Sequence, residues 1–244
     1  MKFGTSPEVI AGGFTRLDGA IEFYSRVHSL IPPDAIILNF GAGRGERGIE
    51  DPIDFRRRLY DLRAVDRTVI GVDIDPIVST NPLVNEAHIL TNERLPLPDS
   101  SVDMVVAEWV FEHVDNPRAV SKELARVLKP GGWICARTPN RYGYIGIGAR
   151  IVPNRIHTSV LKRSQPHRKA IDVFPTRYRM NTKYRLRKLF PSPCFTHATY
   201  CPIIDPPYFG RSRILITLVR GLSRLQPESL GPLLCVFIKK NDLD

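Results

Sequence analysis

Three glycines, Gly41, Gly43 and Gly45, stand at every second position within AIILNFGAGRGERG, residues 35–48. Glycines so spaced let a backbone take positive φ and approach a ligand closely. The apolar run Ala35–Leu38 ahead of them reads as a buried strand. A turn of this kind at a strand's carboxyl end is a nucleotide cradle in α/β folds. Gly43, Gly45 and Gly48 also spell a literal GxGxxG, which by itself does not choose between cofactors. Asp73 lies near the end of a second β-rich run, TVIGVDI. A carboxylate there accepts two hydrogen bonds from a ribose cis-diol, so the glycines and Asp73 together support an adenosine cofactor.

These groups need strands to carry them. Leu17, Ile21, Tyr24 and Val27 fall near helical spacing and predict a helix over Arg16–Leu30, stopped by Pro32-Pro33. Strand one follows, then a charged helix over Asp54–Leu62, strand two over Thr68–Ile74, a short third strand over His88–Thr91 and a fourth over Asp103–Trp109. Asn116-Pro117 is a helix start, with Asn as N-cap and Pro in the first turn. That helix runs to Leu128, Lys129-Pro130-Gly131-Gly132 is its stop and turn, and Trp133–Thr138 is strand five. Strands alternating with helices indicate a mainly parallel sheet covered on both faces. After Pro139 the rhythm changes. Thr182–Leu189 reads as a helix, Phe195–Cys201 and Leu233–Lys239 as strands, and Arg213–Leu225 as an amphipathic helix between them. With no repeat, low-complexity tract or linker in view, residues 1–244 are expected to form a single domain, with 140–180 inserted over the strand ends.

The charge is uneven. Arg141–Phe190 holds thirteen Lys or Arg against one acid, Asp172, a net +12, while the remaining 22 basic and 24 acidic residues come to −2. A basic block on a near-neutral body suits an anionic partner: phosphate, nucleic acid or a lipid headgroup. It equally suits a solvated basic cap. No apolar stretch of about 18 residues is present, so no spanning helix is expected, and no signal-peptide pattern opens the chain. Cys135, Cys194, Cys201 and Cys235 are scattered without a CxxC or zinc spacing, which reads as reduced thiols in a cytoplasmic protein and no metal site.

LPLPDSSVDMVVAEWVFEHVDNP, residues 95–117, and RVLKPGG, residues 126–132, resemble the class I S-adenosylmethionine-dependent methyltransferases, in particular the small-molecule group called type 11. With the glycine turn, the resemblance covers Ile36–Asn140 in the expected order. It implies a Rossmann-like, seven-stranded, mostly parallel sheet of order 3-2-1-4-5-7-6, strand seven antiparallel, with S-adenosyl-L-methionine as cofactor. By position, Gly41, Gly43 and Gly45 would approach the amino-acid part and ribose of that cofactor. Asp73 would hold the ribose hydroxyls, Ile74 would flank the adenine and Asn92 would meet its edge. Glu108, at the end of strand four, would lie near the methionine portion or the substrate. Two positions depart from the pattern. Asn39 stands where the family usually has an acid facing the cofactor's amino group, and Thr91 or Asn92 stands where an Asp is common. Thr138–His157 and Asp172–Thr182 further resemble a subset of these enzymes from bacterial glycan and secondary-metabolite contexts.

Methyl transfer from a sulfonium is an in-line displacement, and positioning supplies much of the acceleration. A base is needed only where the nucleophile must lose a proton. His113, just after strand four, is the candidate base, against the plainer role of a packing or capping histidine. Tyr144, His157, Arg177 and Arg179 are the candidate acceptor contacts, since rings and guanidinium groups together suit sugar, aromatic or phosphate recognition. No Asn-Pro-Pro-Tyr-like tetrad follows strand four, which disfavours methylation of exocyclic base amines. The expectation is therefore methyl transfer to a small-molecule or glycan-linked, anionic acceptor. Two alternatives stand beside it: an RNA methyltransferase, suggested by the basic block, and a non-catalytic adenosine-cofactor-binding protein of the same fold, suggested by Asn39. The arginines of the 213–225 helix allow peripheral membrane contact, and neither the oligomeric state nor the acceptor is readable.

Overall fold

A computed structural model of the chain describes residues 7–151, 175–205, 221 and 225–242. Its centre is one seven-stranded sheet. In chain order the elements are α1 (Gly19–Leu30), β1 (Ile36–Phe40), α2 (Glu46–Glu50), α3 (Asp54–Tyr60), β2 (Thr68–Asp73), β3 (Glu86–Ile89), β4 (Val102–Glu108), α4 (Pro117–Val127), β5 (Leu128–Pro139), α5 (Tyr144–Ile151), α6 (Lys183–Leu189), β6 (Phe195–His197) and β7 (Leu233–Lys240). The strands lie in the order β3-β2-β1-β4-β5-β7-β6. All neighbours from β3 to β5 pair in parallel, while β7 pairs antiparallel with both β5 and β6. That is the arrangement expected from the resemblance.

The sheet is buried on both faces, so its inner strands carry apolar residues at consecutive positions rather than alternating with polar ones. Ile37 joins one core layer and Leu38 the other; Met104 and Val106 face the first, Val105 the second. The first layer lies under α1 and includes Phe23, Tyr24 and Val27. The second lies under α4 and α6 and includes Leu124, Val127 and Leu186. Local signals set the helix starts. Asp18 caps α1 by accepting from the Ala20 and Ile21 N–H groups. Asn116 caps α4 at Ala119, with Pro117 in the first turn, and Thr182 caps α6 at Arg185.

Several boundaries differ from the sequence expectation. Helix α4 ends at Val127, next to the expected stop, but Lys129–Gly132, expected as a turn, is instead the start of β5. Leu128 pairs with Val102, the register then shifts, and pairing resumes at Met104 with Trp133; Gly131 takes φ +76 within this irregularity. The predicted strand over Phe195–Cys201 shrinks to three residues, followed by an isolated bridge from Tyr200 to Cys235. The third strand begins two residues earlier than predicted and ends at Ile89. The short helix α2 and helix α5 were not foreseen. Only the flanks of the expected insertion, 140–151 and 175–180, fall among the described residues. Most of the predicted Arg213–Leu225 helix lies outside them, as does His157.

Candidate functional site

The carboxyl ends of β1, β2 and β4 open onto one corner. The turn after β1 holds Gly41, Gly43 and Gly45 at φ +73, +50 and +74. Two of these glycines are demanded by the protein's own packing. A Cβ at Gly41 would sit 2.4 Å from Val110 Cγ2, and one at Gly45 would sit 2.4 Å from Asn81 Oδ1. Gly43 differs, because a Cβ there would meet only Glu46 Oε2, at 3.7 Å. The middle of the turn thus opens onto free space that a side chain would fill.

Asp73, at the end of β2, clamps this turn. Its Oδ2 accepts from the Gly43 N–H at 2.8 Å and its Oδ1 from the Asp75 N–H at 2.9 Å. Each oxygen keeps acceptor capacity for a further donor such as a ribose hydroxyl. Asn81 holds the turn from the other side, donating to the Ala42 and Gly43 carbonyls. Ile74, next to Asp73, is 65% exposed and offers an apolar surface. Asn92 lies beyond β3 with its Oδ1 accepting the Arg94 N–H at 2.9 Å, which leaves its amide nitrogen as donor. It borders a cavity of about 250 Å³ together with Ile89, Thr91 and Leu95. Asn39 is half-buried on β1, paired in register with Gly71 and Val106.

Glu108 is less available than its position suggests. Its side chain is 9% exposed; it accepts from Arg137 and from the Tyr24 hydroxyl at 2.9 Å, and lies 4.0 Å from Arg47 Nε. Burial pushes its carboxyl up, but the Arg137 and Arg47 charges and the hydrogen bonds outweigh that and hold it below the usual carboxylate range. Burial, and then the neighbouring Glu108, raise the Tyr24 phenol well above its ordinary value. Arg137 and Arg47 were not among the residues expected at the site. The signals were a lone cation inside the apolar strand WICARTP and a second cation just past the glycines.

The turn after β4 carries the other candidates. His113 Nδ1 donates to the Pro175 carbonyl at 2.9 Å, so the neutral ring keeps its lone pair on Nε2, 3.9 Å from Glu112 Oε1. Glu112 is 3% exposed and accepts from Thr138 Oγ1 at 2.7 Å. The returning segment is fixed to this turn, because the Arg177 and Tyr178 N–H groups both donate to the Glu112 carbonyl. Arg177 and Arg179 reach the site's rim, and Asp115 takes both: Arg177 Nε lies 2.7 Å from its carboxylate, and Arg179 donates to its carbonyl. Tyr144 opens α5 and packs with Trp109 against Ile145, Ile204 and Leu233. Tyr144, Arg177, Arg179 and His113 therefore share the carboxyl side of the sheet with the glycine turn. Among the described residues, no group of His, Cys, Asp and Glu could hold a metal ion, and no helix is long and apolar enough to cross a membrane.

The family profile for a methyltransferase domain matches residues 56–136. A probable S-adenosylmethionine-dependent methyltransferase of Mycolicibacterium smegmatis is 38% identical over 106 residues, covering 41% of this chain and 40% of its own length. An uncharacterised methyltransferase of Mycobacterium tuberculosis is 32% identical over 129 residues, 46% of this chain and 47% of that one. The chain spans less than half the length of these curated relatives. Among solved structures, an S-adenosylmethionine-dependent methyltransferase from Thermotoga maritima superposes with a TM-score of 0.57 at 16% identity, covering 96% of this chain and 93% of the other; that likeness is one of fold.

Proposed function

We propose that this chain is a class I S-adenosylmethionine-dependent methyltransferase that transfers a methyl group from S-adenosyl-L-methionine to a small-molecule or glycan-linked, anionic acceptor. The observation that carries this reading is the glycine turn clamped by Asp73, with open space at Gly43 where a Cβ would stand. When bound, the cofactor supplies a methyl group already activated by its sulfonium.

The chain's residues do the rest. The turn admits the cofactor's backbone-facing edge, Asp73 takes the ribose hydroxyls, Ile74 covers one face of the adenine and the Asn92 amide donates to its rim. The Val110 side chain, packed against Gly41, brings the turn after β4 over the same corner, so that an acceptor seated there faces the donor. Positioning of this kind converts an encounter of two molecules into a reaction within one complex. His113 takes the proton from a hydroxyl acceptor. The Pro175 carbonyl fixes its Nδ1–H, and the Glu112 carboxylate stands on the Nε2 side to favour the imidazolium that forms. Tyr144, Arg177 and Arg179 border the acceptor, and so does His157, which is assigned from its place in the sequence. The basic residues around them favour an acceptor that carries negative charge.

The test is transfer of a tritium-labelled methyl group from the cofactor into sugar, lipid-linked and RNA fractions. Label in the sugar or lipid-linked fractions is expected. Label confined to RNA overturns the acceptor class, and tight cofactor binding without transfer into any fraction overturns catalysis.

A further inference from the structure

Helices α4 and α6 lie side by side over one face of the sheet, on the core layer that contains Leu124, Val127 and Leu186. Both begin at the carboxyl side of the sheet. Helix α4 follows the turn after β4, and α6 starts beside Asn181, which donates to the Pro139 carbonyl at the end of β5. One flank of α4 is taken by the segment before β4, where Glu123 accepts from the Leu95 N–H and Arg126 donates to the Leu97 carbonyl. At about 3.6 residues per turn, Arg118 and Lys122 then fall outward on the other flank, the α6 side, and both are exposed. Helix α6 turns Leu186 and Leu189 inward, so Tyr184, Arg185, Arg187 and Lys188 all face out.

No acid answers these cations. The nearby carboxylates already have partners: Glu123 holds Arg126, Asp115 holds Arg177 and Arg179, and Glu228 holds Lys183. Among the described residues, Arg118, Lys122, Arg185, Arg187 and Lys188 make no ion pair. A protein surface ordinarily intersperses the two signs, and a face of one sign attracts a partner of the other. Apolar groups stand among the cations. Tyr184 is 63% exposed at the centre of the α6 face. Leu230 is 43% exposed in the Glu228–Leu230 turn, which the Lys183–Glu228 pair ties to the same helix.

We infer that the α4–α6 face docks on an anionic lipid surface. Two parallel helices present a plane rather than a groove, and acidic headgroups supply the charge that the face lacks. Each Lys or Arg held at such a surface strengthens binding by about fivefold. A tyrosine ring suits the headgroup layer, where one end is apolar and the other wet, and an exposed leucine reaches the acyl boundary. Single-stranded nucleic acid asks instead for open ring faces on which bases stack. Here Lys188 Nζ stands 4.6 Å from the centre of the Tyr184 ring and covers it. The face also runs into the mouth of the site, because Arg185 donates to the Arg179 carbonyl at 3.5 Å. Docking therefore sets the rim that carries Arg177 and Arg179 at the headgroups, within reach of a lipid-linked acceptor. The inference goes beyond the proposed activity and stands on binding alone.

Co-sedimentation of the full chain with vesicles tests it. Vesicles of phosphatidylcholine and phosphatidylglycerol in equal parts carry the protein down, vesicles of phosphatidylcholine alone leave it in solution, and binding weakens as salt rises. Arg187→Gln with Lys188→Gln on α6, and separately Arg118→Gln with Lys122→Gln on α4, each weaken binding to the mixed vesicles by roughly tenfold or more. Arg16→Gln with Arg58→Gln removes the same charge from the opposite face, that of α1 and α3, where these side chains are 77% and 69% exposed, and changes binding far less.

Parental binding by both variants of the α4–α6 face overturns the inference. So does an equal loss in the variant of the α1–α3 face, which makes the binding a matter of net charge. A parent protein that ignores the mixed vesicles overturns it too; polyuridylate held on a filter by the parent and not by Arg187→Gln with Lys188→Gln then gives the face to nucleic acid. Affinity for S-adenosylhomocysteine, measured by calorimetry, stays at the parental value in all three variants, so a failure of the cofactor reading and a failure of this one are seen separately.

Discussion

Gly41 and Gly43 lie two residues apart in one turn, yet their substitution by alanine should fail in different ways. Both hold positive φ, at +73 and +50. Placing an L-residue in that region costs about 1–2 kcal/mol. At Gly43 this is nearly the whole effect on stability, because a Cβ meets only Glu46 Oε2 at 3.7 Å. At Gly41 the Cβ stands 2.4 and 2.9 Å from the two methyl carbons of Val110. Relieving an overpacked contact adds about 1–3 kcal/mol, for a total of roughly 2–5 kcal/mol at Gly41. At roughly 2–4 °C per kcal/mol for a chain of this size, Gly41→Ala lowers Tm by roughly 4–20 °C and Gly43→Ala by roughly 2–8 °C. Binding ranks the variants in the opposite order of interest. The Gly43 methyl projects into the space assigned to the cofactor, so Gly43→Ala, still folded, weakens S-adenosylhomocysteine by tenfold or more, about 1.4 kcal/mol. Differential scanning calorimetry and isothermal titration on the same preparations measure both quantities. A folded Gly43→Ala protein with parental affinity refutes the assignment of that space. A Gly41→Ala protein as stable as Gly43→Ala refutes the packing argument.

Other expectations follow from the same geometry. Asp73→Ala removes the acceptors of the Gly43 and Asp75 N–H groups as well as the ribose contacts, so cofactor affinity falls by roughly tenfold or more; unchanged affinity by calorimetry contradicts the role. His113→Asn lowers kcat by ~10²–10⁴-fold with cofactor affinity preserved, whereas a lower Tm with full turnover per folded molecule returns His113 to a purely structural role. Arg126 donates to Glu123, Asp99 and the Leu95 and Leu97 carbonyls, so Arg126→Met costs about 2–3 kcal/mol and lowers Tm by roughly 4–12 °C, without change in cofactor affinity. At alkaline pH, burial pushes the Cys201 thiol up to about 11 and the Cys235 thiol up to about 12, from an ordinary value of 9.0. Burial raises the Tyr24 and Tyr60 phenols as well. Groups raised in the folded state contribute stability below their unfolded pKa and lose it as pH rises through the folded value. Tm should therefore hold to about pH 9 and decline above it, less steeply in Cys235→Ala; a Tm independent of pH between about 9 and 11 contradicts this.

The strands and their mainly parallel pairing were legible from the residues because their signals are local, whereas the strand order came from the family resemblance. Apolar runs such as IILNF and VDMVVAE form strands wherever both faces are to be buried, and Asn116-Pro117 and Thr182 start helices through bonds to their own next turn, while the first helix, expected from Arg16, starts only after its cap Asp18. The glycine turn and Asp73 were equally plain, since a positive-φ turn and a carboxylate at a strand end have few other uses. The extent of β5 was not legible. Lys129-Pro130-Gly131-Gly132 has the composition of a helix stop, and only pairing with β4 across a register shift makes it strand.

The chemistry around Glu108 was decided by tertiary structure. Its sequence position put it near the ligand, but whether its carboxylate is free depends on Arg137, Tyr24 and Arg47, which lie 29, 84 and 61 residues away along the chain. Arg177 and Arg179 read as acceptor contacts from composition, and only the fold shows that both also reach Asp115 across the rim. Backbone conformation and burial pattern depend on neighbours a few residues away, so a sequence displays them. Charge pairing and unmatched donors depend on which distant segments meet at the strand ends, and for that the sheet must first be assembled.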